Sequence, residues 1–372
     1  MSDAREMTWE SFTKEAVTGT MPELMARLDR HRSLSFADSC LRGVGMVGFL
    51  SNPLTGLIML AAMCYFSPWL GATVSVGVAV STATALLLGL DQTDIRIGLY
   101  GYNGALAGAG ITVLLAPEWD LGVLGYVVGA AAATTFVMAA LMCFMTRTWG
   151  VRPLALPMNA VLMVLVVGLQ QAKNGRLGPY IHPVNPSPGA KVDPTLRELP
   201  LGPGHDSVVQ LVQAILHGIS QLFFLDSTPA GIVFLVALAL CSRFTAALAL
   251  LGSASAVIAS KLIGLDGFLV YLGIAGVNGA LVCIAIGGFF LTPSLRSVIL
   301  GTLAAAGSSV VFGACNAAVR VFGLPSSLSL SYCLIVPIIV VLKEMTPRIR
   351  GTELAATKGT VPERRVTVKQ HY

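Results

Sequence analysis

The sequence predicts an all-α polytopic membrane protein built as two inverted-topology repeats, about five transmembrane helices in each, with re-entrant or pore helices. Three observations predict this class. Hydrophobic residues make up 55% of the chain and charged residues 12%, against roughly 25% charged in an ordinary soluble domain, and the mean hydropathy is +0.76. The apolar runs are long: between Val44 and Met145 the only formal charges are Asp91, Asp94, Arg96, Glu118 and Asp120, which leaves room for helices of the roughly 20 residues that cross a bilayer. Finally, the chain repeats itself. Leu41-Arg42-Gly43-Val44-Gly45-Met46-Val47-Gly48-Phe49-Leu50 returns as Leu216-His217-Gly218-Ile219-Ser220-Gln221-Leu222-Phe223-Phe224-Leu225, and Gly101-Tyr102-Asn103-Gly104-Ala105-Leu106 as Gly276-Val277-Asn278-Gly279-Ala280-Leu281, both at an offset of 175 (216 − 41 and 276 − 101). Two separated blocks in one register indicate a duplicated unit. In an apolar chain that pattern points to a channel or transporter with two related halves.

The elements follow in order. Residues 1–40 are mixed in charge and lack an apolar core, so they read as a cytosolic N-terminal segment and not a cleavable signal peptide. A short amphipathic helix is expected within them, over residues 21–32. The first transmembrane repeat spans 41–170, with apolar stretches at 41–65, 69–90, 97–115, 121–145 and 154–169. Residues 171–207 are rich in proline and glycine, including Gly178-Pro179 and Gly202-Pro203, and predict an extramembrane loop. The second repeat spans 208–342, with stretches at 211–224, 230–241, 244–263, 268–290, 295–319 and 330–342.

Residues 343–372 form a basic tail in which Lys343, Arg348, Arg350, Lys358, Arg364, Arg365 and Lys369 outnumber Glu344, Glu353 and Glu363. The excess of positive charge places it in the cytoplasm. Without interleaved aromatics it is not expected to bind nucleic acid. Several apolar stretches are too short for a full crossing, and such pieces survive at membrane depth only when buried in protein or lining a cavity. An odd number of crossings per half would make the second copy enter from the opposite side, so that the halves meet about an axis in the membrane plane.

Few residues carry chemistry. The seven cysteines are scattered with no CxxC pair, so neither a disulfide framework nor a metal site is indicated, and no cofactor is expected. Of the five histidines only His217 falls in a membrane-proximal stretch, opposite Arg42 in the repeat; this lack of a histidine pair weighs against an ammonia channel. Asp226 and Asp266 lie at segment ends, suited to solvation or capping. No catalytic constellation remains, which argues against a membrane-embedded enzyme.

The amides are more informative. Asn103 and Asn278 occupy matching places in Tyr-Asn-Gly-Ala-Leu and Val-Asn-Gly-Ala-Leu, and an unpartnered buried amide costs about 1–3 kcal/mol. Each is expected either to tie together a helix break or to contact a solute. Gln221 stands three residues before Phe224, on one helical face with it. It can line a pore with that ring beside it, or bond across helices.

The same blocks carry a resemblance. Arg42-Gly43-Val44 followed by Phe49-Leu50-Ser51-Asn52-Pro53, then Gly98-Leu99-Tyr100-Gly101-Tyr102-Asn103-Gly104, and later Asn278-Gly279-Ala280-Leu281 through Gly287-Gly288-Phe289-Phe290 resemble the urea transporter family over residues 38–342. The resemblance implies a homotrimer whose subunits each hold a pore between inverted halves and move solute passively. It also implies that each half gives the pore an amide or carboxyl side chain, a phenylalanine three residues on, a second aromatic with a leucine four residues later, and a threonine in a Leu-Pro-x-x-Thr box.

Carried over by position, the substrate pore is Gln221, Phe224, Phe49, Met46, Tyr102, Leu106, Val277 and Leu281, with Asn103 and Asn278 as helix-break residues. The sequence departs from the pattern at four places. Met46 stands where the first half's amide belongs, Val277 replaces the second half's aromatic, and Ala155 and Leu328 stand at the threonine positions. The implied solute is urea or a similar small neutral amide, chosen by shape and desolvation. The implied location is the plasma (inner) membrane, with lipid around the protein. The departures favour, as the alternative, a channel of the same family specialised for another small polar solute.

Overall fold

The computed structural model describes residues 19–115, 119–170, 208–324 and 326–345. Among them the regular structure is helical. The N-terminal elements are α1 (Pro22–Leu28), α2 (Arg32–Met46), α3 (Pro53–Phe66) and α4 (Pro68–Leu87), followed by α5 (Gln92–Arg96), α6 (Gly101–Leu115), α7 (Leu124–Trp149) and α8 (Leu156–Gln170). The second half holds α9 (Val208–Ser220), α10 (Thr228–Cys241), α11 (Arg243–Leu262), α12 (Gly267–Tyr271), α13 (Ile274–Ile284), α14 (Leu295–Arg320) and α15 (Leu330–Met345). The proline-rich loop at 171–207 and residues 346–372 of the basic tail lie outside the described residues.

The duplication read from sequence is repeated in the caps. Asn52 accepts from the Thr55 amide at the start of α3, Ser67 from Leu70 at α4 and Asp91 from Asp94 at α5. Their counterparts at an offset of 175 cap α10, α11 and α12: Ser227 and Ser242 accept from the amide three residues on, as before, and Asp266 from the Phe268 amide two residues on. Each such side chain satisfies an amide that the first turn leaves orphaned. The left-handed residues pair as well: Gly89 with Gly264, Gly98 with Gly273, Gly150 with Gly323, Phe49 with Phe224 and Leu154 with Leu328. At Gly98 and Gly273 the freedom is needed twice, because φ is 83° and 77° and an added Cβ would lie 2.3 Å from the backbone nitrogen of Gly43 or Gly218.

Among the described residues four helices are long and apolar enough to cross a bilayer, two in each half: Pro68–Leu87, Leu121–Trp149, Arg243–Leu262 and Leu295–Arg320. Val208–Phe223 and Thr228–Cys241 pass together but bend by 69° at their break. The remaining apolar helices are shorter; a 15-residue helix such as Gly101–Leu115 spans about 22 Å, less than the roughly 30 Å hydrocarbon core. Its residues are almost all buried, as a half-spanning helix requires. Outside, Tyr65, Leu87, Val164, Leu262 and Leu295 are mostly exposed.

Three boundaries differ from the sequence reading. The stretch at 41–65 is not one helix, because α2 stops at Met46 and α3 restarts at Pro53 under the Asn52 cap. The division at residue 40 falls inside α2, which starts at Arg32; Arg42 is fully buried and its Nε lies 2.8 Å from Asp38 Oδ2, one turn back. The amphipathic helix expected over 21–32 is α1, tied down where Arg96 pairs with Asp29 at 2.7 Å. Within each half, α4 crosses α6 and α11 crosses α13 at glycines, where a Cβ on Gly77 or Gly252 would lie 2.2 or 2.4 Å from the carbonyl oxygen of Gly104 or Gly279. Small residues let apolar helices approach without a cleft between them. The halves are joined by Thr55, whose hydroxyl donates to the Ala237 carbonyl at 2.9 Å, and by Asn159, whose amide donates to Ser329 Oγ at 2.9 Å.

Candidate functional site

The site is built from two helix endings with the same hydrogen bonds. At the end of α2 the Leu50 amide donates to the Gly45 carbonyl and the Phe49 amide to Met46; after α9 the Leu225 amide donates to Ser220 and the Phe224 amide to Gln221. This pair of bonds is a Schellman ending, whose left-handed position glycine usually fills. Here phenylalanine fills it twice, with φ of 63° at Phe49 and 59° at Phe224, at a cost of about 1 kcal/mol or more each. Both rings are aimed at one cavity. Phe49 packs on Phe289 with centroids 4.8 Å apart, and Phe289 on Phe290 at 5.0 Å.

That cavity lies between the halves and leaves about 140 Å³ for the centres of water-sized molecules. Met46, Phe49, Tyr102 and Leu106 border it from the first half, and Gln221, Phe224, Val277 and Leu281 from the second. Gln221, Phe49 and Phe224 are half-buried, and the other five are buried. The wall is mostly aromatic and aliphatic, with a small set of polar groups. An apolar wall with a few placed polar groups is the usual make-up of a small-molecule site.

Asn103 and Asn278 stand behind the wall, both fully buried. The Asn103 amide donates to the Leu154 carbonyl at 3.3 Å and its oxygen accepts from the Met158 amide at 3.1 Å. Asn278 repeats this, donating to the Leu328 carbonyl at 3.0 Å and accepting from the Tyr332 amide at 3.3 Å and the Ser331 hydroxyl at 2.7 Å. Each asparagine thus clips a left-handed leucine, φ 56° or 51°, to the first turn of the next helix. Neither amide borders the cavity.

These clips also correct one alignment. Leu154 pairs with Leu328 and Met158 with Tyr332, an offset of 174 (328 − 154 and 332 − 158). The counterpart of Ala155 is therefore Ser329 and not Leu328, so a hydroxyl is retained in the second half. In the first half, the Ala155 amide donates to the Tyr332 hydroxyl at 3.1 Å. Tyr102 donates its own hydroxyl proton to the Leu154 carbonyl.

Several wall residues were not foreseen: Tyr332, Ser329, Met158, Phe289 and Arg152. The leucines shared by Leu154-Ala155-Leu156 and Leu328-Ser329-Leu330 are the signal that could have located the first three. His217 is absent from the wall; its Nδ1 lies 2.9 Å from the Tyr271 carbonyl and its Nε2 3.0 Å from Thr228 Oγ1. It braces the second break as Arg42, bonded at 2.8 Å to the Ser51 carbonyl, braces the first. Asp226 is exposed and reaches the cavity's edge, whereas Asp266 caps α12. Among the described residues no group of three His, Cys, Asp or Glu side chains could hold a metal ion.

Comparison with known proteins adds a family. A family model described as "UT: Urea transporter" matches residues 37–344. "Urea transporter 1" of Ovis aries is 30% identical over 353 residues, covering 93% of this chain and 87% of the relative. The protein of the same name from Rattus norvegicus is 31% identical over 338 residues, covering 90% and 84%.

Proposed function

Because the chain belongs to the urea transporter family, we propose that it carries urea passively across the membrane, along the cavity between its halves. It is a transporter and not an enzyme. The observation that supports this route is that all eight residues carried over from the family pattern border a single cavity. Phe49 and Phe224 present one ring from each half to this route, and a flat solute can pack against them. Gln221 offers an oxygen to the solute's amide hydrogens and an amide to its carbonyl, and Leu106 and Leu281 close the slot. Met46 offers neither, so the first half supplies one hydrogen bond fewer, about 0.5–1.5 kcal/mol of solute stabilisation.

The same reading makes the active unit a homotrimer with one pathway per subunit, in the plasma (inner) membrane. The two halves are oppositely oriented, both termini are cytoplasmic, and residues 171–207 lie outside the membrane. The experiment is stopped-flow light scattering on proteoliposomes under a urea gradient. Permeability well above that of empty vesicles is expected; none above them removes the reading. Met46, Val277 and Ala155 favour a second reading, a channel of this family for another small polar solute, and acetamide and glycerol gradients on the same vesicles separate the two.

A further inference from the structure

One side chain on the wall, Arg152, carries a deeply buried positive charge. Arg152 is only 3% exposed, yet it borders the cavity beside Leu99, Tyr102 and Leu154. A buried guanidinium keeps its proton and needs both a counter-charge and hydrogen-bond acceptors. Asp94 supplies the charge, but its Oδ1 lies 3.6 Å from Nη2, well beyond the roughly 2.7–2.9 Å of a charge-assisted hydrogen bond. Nε and Nη2 are sealed off from the cavity and have no acceptor, which leaves Nη1 as the guanidinium nitrogen that can face it. The pair is neutral overall while two of its donors stay unsatisfied.

The pair also belongs to one half alone. By the offset of 175 Asp94 corresponds to Leu269, and Arg152, between the pairs Gly150/Gly323 and Leu154/Leu328, falls at Pro325 or Ser326; Ser326 also borders the cavity, its oxygen accepting from the Leu328 amide at 3.1 Å. The duplicated backbone therefore stands without an ion pair at this place. Meanwhile the departures at Met46 and Ala155 thin out the polar groups that meet a solute, and Val277 removes a ring. Tyr102 has committed its proton to Leu154.

We propose that Arg152 is a specificity-determining residue of the pathway, donating a hydrogen bond to the carbonyl oxygen of the passing solute. This rests on the transport route proposed above. A neutral carbonyl compound is favoured over an anion because Asp94 already balances the charge. Solutes with a strong acceptor pass faster than isosteres with a weak one.

Urea and thiourea separate these terms, since both carry the same amide hydrogens but sulfur is a weak acceptor. The full chain is reconstituted and permeabilities for the two solutes are compared in the native protein, in Arg152→Met/Asp94→Asn, in Asp94→Asn alone and in Arg152→Lys. The double variant removes the donor without stranding a buried carboxylate, and it lowers the urea-to-thiourea ratio about fivefold, chiefly through urea. Asp94→Asn alone keeps the ratio within about twofold. Arg152→Lys preserves the charge beside Asp94, so it holds the fold even where the double variant does not insert, and it lowers the ratio at least twofold because a compact ammonium on a different stem misses the planar donor positions. An unchanged ratio in Arg152→Lys overturns the proposal. So does an equal slowing of both solutes in the double variant, which would make the pair structural only. A native chain with no urea flux above empty vesicles fails the transport reading itself, whereas native flux with an unaltered ratio fails Arg152 alone.

Discussion

Phe49 and Phe224 hold backbone angles that a side chain resists. The inference runs from the strained angle to a use for the ring, because a glycine at either place would close the same turn at no steric cost. Substitution can separate ring from backbone. Phe224→Ala and Phe224→Gly both remove the ring, but only glycine relieves the left-handed angle, so the glycine variant is expected to unfold about 1 kcal/mol later than the alanine variant in detergent. Equal stability would show that the angle at 224 costs nothing. Flux tests the side chains themselves: Gln221→Ala is expected to slow urea severalfold, since it removes the wall's one carboxamide, while Met46→Ala changes it less. Equal effects would remove Gln221 from the pathway. Arg152 shows what composition conceals, because a buried guanidinium in a connection between helices reads in sequence like any solvated loop arginine.

At the scale of elements, the short buried helices need something to hold their ends, and the asparagine clips do so. Asn103 joins α6 to the Leu154 carbonyl and the first turn of α8; Asn278 joins α13 to Leu328 and α15. Removing either strands a buried carbonyl and amide that lipid cannot satisfy. Asn103→Ala is therefore expected to cost about 1–3 kcal/mol. Asn278→Ala is expected to cost more, because its side chain also donates to Ile274 and accepts from Ser331; thermal unfolding of the two variants in one detergent checks the order. The matched asparagines were visible in the sequence, but their partners were not. Those partners lie about fifty residues on, and the second box carries one residue that shifts its register. The break at 47–52 was hidden for a related reason: no glycine marks the left-handed position, so the hydropathy of residues 41–65 runs straight through it.

For the whole molecule, the duplication was legible where packing fixes spacing and faded where it does not. From α2 to α6 the offset stays at 175 because caps, left-handed glycines and glycine crossings leave no slack. It becomes 171 between the starts of α7 and α14 (295 − 124), two 26-residue helices, after connections that tolerate insertion at small entropic cost. Orientation decides how two copies make one route, since oppositely directed halves are related by an axis in the membrane plane and parallel halves by one along its normal. Leu87 and Leu262 end the matching helices α4 and α11 and are 88% and 81% exposed, so they report on it without touching the cavity. With native cysteines replaced by alanine, Leu87→Cys and Leu262→Cys are each expected to react with a membrane-impermeant maleimide from one side only, and from opposite sides. Labelling of both from the same face of the membrane would make the halves parallel, and the pseudo-two-fold axis of the pathway would then run along the membrane normal and not in its plane.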